Sequence, residues 1–172
     1  MTRQQAGFTM VELLVTFAVL ATLAGIAIPI FSVWLPNYRL KSATMDIYSH
    51  FQKAKMEAIR RNDIVVLRFN VAGDSCEVFV DNGSGGGTAQ DGIRNGTEPL
   101  VSRVSTPDNI DILSASFSGS PACGFTSRGL PWNSRIGNTE LKNTKNRHYR
   151  VILSIAGNVR MEVSRDGGAT WN

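Results

Sequence analysis

The hydrophobic and polar positions along the chain fall into three regimes. From Leu13 to Leu35 the only polar side chains are Thr16, Thr22 and Ser32, and the rest is an unbroken apolar run. A helix needs ~20 such residues to cross the hydrocarbon core of a bilayer, so this run predicts a membrane-spanning helix. From residue 37 to 62 the pattern becomes periodic. Leu40, Ala43, Ile47, Phe51, Ala54 and Ala58 recur at spacings of three and four, while Lys41, Asp46, Gln52, Lys53, Glu57 and Arg60 fall largely elsewhere. That is one apolar stripe on an amphipathic helix, and basic residues followed by Asn62 make a suitable helix end.

From residue 63 onward short strands replace the helix. Residues 64–71 and 76–81 form two of them, joined by a turn at 72–75. Further short strands are expected at 98–104 and 109–115 and around Cys123. Residues 149–156 and 158–165 read as a hairpin closing at Ala156-Gly157-Asn158. The Gly-rich stretch 82–96 reads as a solvent-exposed loop. The expected architecture is α+β: a long N-terminal helix packed on a small antiparallel, sandwich-like β-domain.

Composition sharpens this picture. The chain has 172 residues, a formal charge of +4 and a pI near 9.4. That is one globular domain plus an anchor, with a balance that permits anionic partners such as DNA or lipid headgroups. Two isolated cysteines, Cys76 and Cys123, match no metal-binding spacing. In an exported domain they pair most simply as one disulfide, the rival reading being two buried thiols. The two histidines lie far from either cysteine, and His50 reads as structural or surface. No nucleophile with a credible base, HExxH or dinucleotide fingerprint is present, and no lysine follows the Gly cluster as a phosphate-binding loop requires. Neither enzyme activity nor a metal or cofactor is expected.

The polar leader MTRQQAG precedes the apolar run, and its only small-residue cleavage point is Gly7. A secretory signal has its cleavage site after the apolar core. Here cleavage would leave the hydrophobic helix on the mature chain. Arg3 on the leader keeps the short N-terminus cytoplasmic and sends the C-terminal domain across the membrane. Glu12 is then conspicuous, because a carboxylate at the centre of a membrane helix costs ~2.5–3.5 kcal/mol on insertion scales. Either it sits near the interface and favours the positive helix end, or a cation supplied in trans neutralises it.

The string GFTMVELLV resembles the class III signal of type IV pilins, with Gly7, Phe8 and Glu12 matching position by position. The resemblance implies cleavage between Gly7 and Phe8 by prepilin peptidase and methylation of the new amino terminus. It also implies that Glu12 docks the subunit into a helical filament, and that Pro29 is the point where such helices bend or melt. Pro36 adds a second expected interruption. The segments then divide as leader 1–7, membrane and assembly helix 8–36, amphipathic continuation 37–62, and periplasmic β-rich domain 63–172.

Residues 54–69, the Phe125…Gly129 stretch and the late strand 157–163 resemble the GspH/FimT group of minor pilins and pseudopilins. The implied role is structural: a subunit anchored in the inner membrane that assembles with other pilins, in a type IV pilus or in a type II secretion system. A third reading, uptake of DNA, draws on Lys142, Lys145, Arg147, His148, Arg150 and Arg160, a cluster able to bind phosphate by counterion release. Its rival is a solvated basic loop. The Gly-Arg-x-Arg motif of DNA-binding relatives is incomplete, with Asn158 where its first arginine would stand. The last residues, 164–171, resemble an Asp-box and are read as turn chemistry only.

Overall fold

The computed structural model describes residues 7–172. The leader residues before Gly7, Arg3 included, lie outside the described residues. The chain divides into two compact units, one ending at Leu35 and the other spanning Pro36–Asn172.

A single helix, α1 (Met10–Arg61), contributes to both. Within the second unit its buried face is Leu40, Ala43, Thr44, Ile47, Phe51, Ala54 and Ala58, the stripe that the periodicity predicts plus one threonine. Thr44 is tolerated there because its hydroxyl donates to the Leu40 carbonyl at 2.8 Å, which leaves no orphan polar group. The helix stops at Asn62, whose φ of 53° breaks the right-handed path, and the Asp63 N–H returns to the Ala58 carbonyl at 3.2 Å. Glu57 holds Arg60 at 2.6 Å and Arg61 at 2.7 Å on this last turn. The hydrogen-bonded helix runs unbroken through both prolines, so neither the melting expected at Pro29 nor the interruption expected at Pro36 is formed. Each proline removes one backbone bond, and the bonds of neighbouring residues carry the helix across.

The strands are β1 (Val65–Asn70), β2 (Ser75–Val80), β3 (Leu100–Ser105), β4 (Ile110–Phe117), β5 (Ala122–Phe125), β6 (Gly137–Asn143), β7 (His148–Leu153) and β8 (Val159–Ser164). They form two four-stranded antiparallel sheets, ordered β3-β2-β1-β5 and β4-β6-β7-β8. Alternation along β1 sends Val65, Leu67 and Phe69 into the main core with the helix stripe and the inner face of the second sheet. Phe51, Phe69 and Phe117 meet there, with ring centroids 5.7–6.0 Å apart, one from the helix and one from each sheet. Such pairs add roughly 0.5–1.5 kcal/mol each beyond area burial.

The other face of β1 and β2 is also covered. Val66, Phe79 and Ala122 pack on Trp132, over which the Arg135 guanidinium lies at 4.3 Å. The Gly-rich stretch folds over the same side and is anchored, which corrects its reading as a merely solvated loop. Asp81 is buried and accepts the N–H groups of Gln90 at 2.5 Å and Gly92 at 2.8 Å. Glu98, also buried, accepts those of Gly83 at 2.9 Å and Asn95 at 3.0 Å. Burial raises the Asp81 carboxyl above its usual range, opposed by these two N–H donors and assisted by the nearby Glu98 and Asp91 charges.

The expected disulfide is not formed. Cys76 and Cys123 are free thiols, both buried in the main core. Cys76 pairs with Phe69 on one side of β1 and Cys123 with Leu67 on the other. Two strand spacings come to ~9.6 Å, whereas a disulfide needs Cα atoms within ~7 Å. The strand order itself keeps the two sulfurs unbonded.

Candidate functional site

The segment expected to mediate assembly begins at the helix N-terminus. Thr9 precedes the first helical residue, and its hydroxyl oxygen accepts the Glu12 N–H at 3.2 Å, so Thr9 is the N-cap and Glu12 the third helical position. Thr-Met-Val-Glu is thus a capping-box sequence. The resemblance to the class III signal identifies Glu12 but passes over Thr9, whose signal is the four-residue spacing alone. Thr16, Thr22 and Ser32 each turn their hydroxyl back to a carbonyl three residues earlier, at 2.8 Å. The polar atoms of the run are thereby satisfied within the helix, and its outer surface is uniformly apolar.

That surface is bare. Phe8 is 81% exposed, Met10 86% and Ile28 68%, and the most apolar stretch of α1 buries nothing within the chain. Among the described residues this stretch is unburied, and an apolar helix of this length suits lipid or other helices as its surroundings.

In the second unit the proposed basic cluster is dispersed over ordered strands rather than a solvated loop. Lys142 lies on β6, Arg150 on β7 and Arg160 on β8, and only residues 144–147 form the turn between β6 and β7. β6 escaped the sequence reading because Gly137–Asn143 alternates polar with few apolar residues, its buried positions being Thr139, Leu141 and Asn143. The registers Lys142↔His148, Glu140↔Arg150 and Arg150↔Glu162 bring these charges onto one outer face.

Most of the charge is answered there. Lys142 is 3.8 Å from Asp111, Arg150 binds Glu162 through two nitrogens at 2.5 and 2.8 Å, and Arg160 reaches Glu162 at 3.2 Å. His148 contacts Glu140 at 2.6 Å through Nδ1 and Asn146 at 3.1 Å through Nε2. Arg147 lies over Tyr149 at 6.0 Å, and its Nε is buried without a partner. His50 bonds the Asp46 carbonyl of its own helix at 2.7 Å, in line with a structural reading.

Beside this face the Asp-box sequence forms its turn. Asp166 accepts the Ser164 hydroxyl at 2.5 Å and both the N–H and the hydroxyl of Thr170, at 3.0 and 2.5 Å. The Ser164 and Thr170 bonds hold its carboxyl well below the usual carboxylate range. The turn places Trp171 on the Arg150 guanidinium at 4.1 Å.

The family described as type II transport protein GspH matches residues 43–157, more than half of the chain. The chain belongs to the GspH family. A second match, the prokaryotic N-terminal methylation motif, covers residues 2–28. The chain is therefore a pilin-like subunit of the minor pilin and pseudopilin class, anchored by its apolar helix. Among solved structures, its fold is similar to the type IV minor pilin FimU of Pseudomonas aeruginosa. Two crystal forms give TM-scores of 0.54 and 0.56 at 13% and 12% identity, covering 74% and 78% of this chain and 99% and 98% of FimU. It is also similar to the minor pseudopilin EpsH from the type 2 secretion system of Vibrio cholerae, with a TM-score of 0.50 at 12% identity over 72% of this chain and 95% of EpsH. No curated protein matches by sequence. The GspH-family match ends in the β7–β8 turn, so β8 and the Asp-box turn lie beyond it.

Proposed function

We propose that this GspH-family subunit is a minor pilin that primes or joins a type IV pilus, in the following sequence of states. Prepilin peptidase cuts between Gly7 and Phe8, and the exposed amine is methylated. The mature chain waits in the inner membrane with α1 in lipid and Pro36–Asn172 in the periplasm. On assembly, α1 leaves lipid for the helices of neighbouring pilins. The carrying observation is the bare apolar surface of α1 continuing into the helix that holds the β-domain core. Lipid and helix bundles are interchangeable apolar surroundings, so transfer between them costs little hydrophobic energy. What needs a specific partner is Glu12. A Phe8 amine on the adjacent subunit neutralises it and sets the axial register of the packed helices.

The family description itself favours a second reading, a type II secretion pseudopilin, which uses the same helix chemistry. One experiment separates them. Surface pili sheared from cells lacking the gene are compared with those from complemented and wild-type cells, alongside secretion of folded exoproteins. Loss of pili restored by complementation supports the pilus reading. Normal piliation with a secretion defect assigns the chain to the secretion system.

A further inference from the structure

The two sheets have four edge strands, and three are blunted. On β3 the pairing shifts register opposite Val78/Phe79, and Arg103 engages Glu77. β4 has a register shift between Ile112 and Ser114, and two of its edge groups are taken: the Ile110 carbonyl accepts the Thr106 hydroxyl at 2.6 Å, and the Ile112 N–H donates to Asp74 at 2.7 Å. β5 is four residues long, bridged by Pro131 at Phe125, with its Ala122 carbonyl accepting Arg135 at 3.3 Å. Shortness, bulges, charges and covering side chains are the usual means of keeping an edge from pairing with another chain.

β8 has a regular register throughout with β7. Its outward backbone groups belong to Val159, Met161 and Val163. Val163 exchanges two bonds with Asn172, its N–H donating at 2.9 Å and its carbonyl accepting at 3.1 Å. Among the described residues no backbone partner lies on the outer side of Val159 or Met161. The side chains of these two are only partly buried against the core, so an added strand would also cover apolar surface.

The occupant is written in the strand. Residues 159–163 read Val-Arg-Met-Glu-Val, which is self-complementary in the antiparallel sense. We propose that β8 pairs with β8 of a second copy of this chain, centred on Met161. In that register Val159 lies opposite the partner's Val163, and Arg160 opposite the partner's Glu162. The Arg–Glu pairs fall at non-hydrogen-bonded positions, where cross-strand side chains approach most closely. Each Glu162 already meets Arg150 and Arg160 of its own chain and in this register gains the partner copy's arginine as well, whereas moving the centre to Arg160 or to Glu162 sets like charges face to face, so charge favours the Met161 register. The contact is isologous and closes as a pair. It requires Asn172 to release Val163, which makes Asn172 a competitor for the same edge. This contact is independent of the helix-mediated assembly above.

The test is oxidative cross-linking of the full chain in detergent through Met161→Cys, with Asp108→Cys on an exposed turn as control. Cys76 and Cys123 are buried and do not compete. Disulfide dimers of the Met161→Cys chain are expected several-fold above the control, and higher still when Asn172 is removed. Adding Arg160→Glu or Glu162→Arg to the cysteine chain should return dimers to the control level. Mixing those two charge variants should restore them, which also shows that each variant still folds. Dimer yield equal to the control, or indifferent to the charge exchange, overturns the proposal.

Discussion

Thr9 accepts the Glu12 backbone N–H at 3.2 Å, so the residue whose charge is hardest to place in a membrane also occupies the third position of a capped helix. The capping-box spacing and the charge offer the Glu12 side chain two roles, and these separate by substitution. Glu12→Gln preserves a capping-box residue but removes the charge. If the carboxylate meets an amine in trans, Gln and Val should both abolish incorporation into sheared filaments while the chain remains membrane-bound. Incorporation of the Gln variant at the wild-type level would leave Glu12 with a capping role alone. Thr9→Ala should weaken the helix start by about 1 kcal/mol without the same loss of assembly.

The core thiols give a second expectation. Cys76 and Cys123 are held apart by β1, and burial pushes both thiols up, with the Glu77 charge adding to the effect on Cys76 and the neighbouring Cys76 adding to it on Cys123. A thiol reagent should label neither in the native chain and both after denaturation, with no reductant required. Labelling that appears only after reduction would show a disulfide and a rearranged first sheet.

The elements most legible in the sequence were those with a strong period. The helix stripe and the closing β7–β8 hairpin follow from spacing, because each buries one face and exposes the other. What stayed hidden depended on partners distant in sequence. β6 carries its buried positions as Thr139, Leu141 and Asn143, and Asn143 is acceptable there because its amide donates to Asn37 at 2.9 Å and its oxygen accepts the Lys145 and Arg147 N–H groups. The anchoring of the Gly-rich stretch rests on Asp81 and Glu98, whose carboxylates only acquire N–H partners once the loop closes. The disulfide expectation fails for the same reason, since cysteine spacing says nothing of the strand order that places β1 between the two. Gly7, Phe8 and Glu12, proposed for processing and assembly, form a local signal inside the matched methylation motif. Thr9 is not part of that signal, because its role is to hold a backbone group.

The last helical turn sets an acid response. Hydrogen bonds from Arg60 and then Arg61 lower the Glu57 carboxyl from its ordinary value of 4.5 to about 2. The folded value lies below the unfolded one, so this contribution is fully present above the unfolded pKa and is lost as pH falls through the folded value. Wild-type stability should therefore drop between about pH 4.5 and pH 2 by more than that of Glu57→Gln. Denaturant unfolding of the two chains at matched pH reads the difference. Parallel curves across that window would mean that the ion pairs are screened in solution.

DNA binding turns on Glu162. It holds Arg150 at 2.5 Å and Arg160 at 3.2 Å, Asp111 lies 3.8 Å from Lys142 and Glu140 lies 2.6 Å from His148, so four of the six residues singled out for phosphate contact already face a carboxylate. A phosphate would have to displace those pairs or find Lys145 and Arg147, which lie in the β6–β7 turn. The wild-type chain should accordingly bind duplex DNA weakly even at low salt. Glu162→Gln releases two guanidiniums without removing bulk, and should tighten binding and steepen its fall with salt, since each phosphate contact adds about 0.9 to the slope. Lys145→Ala combined with Arg160→Ala should then cancel the gain. Fluorescence anisotropy of a labelled duplex across a salt series measures all three. Tight binding by the wild-type chain, unchanged in Glu162→Gln, would show that the ion pairs on this face open freely and that the DNA-uptake reading stands.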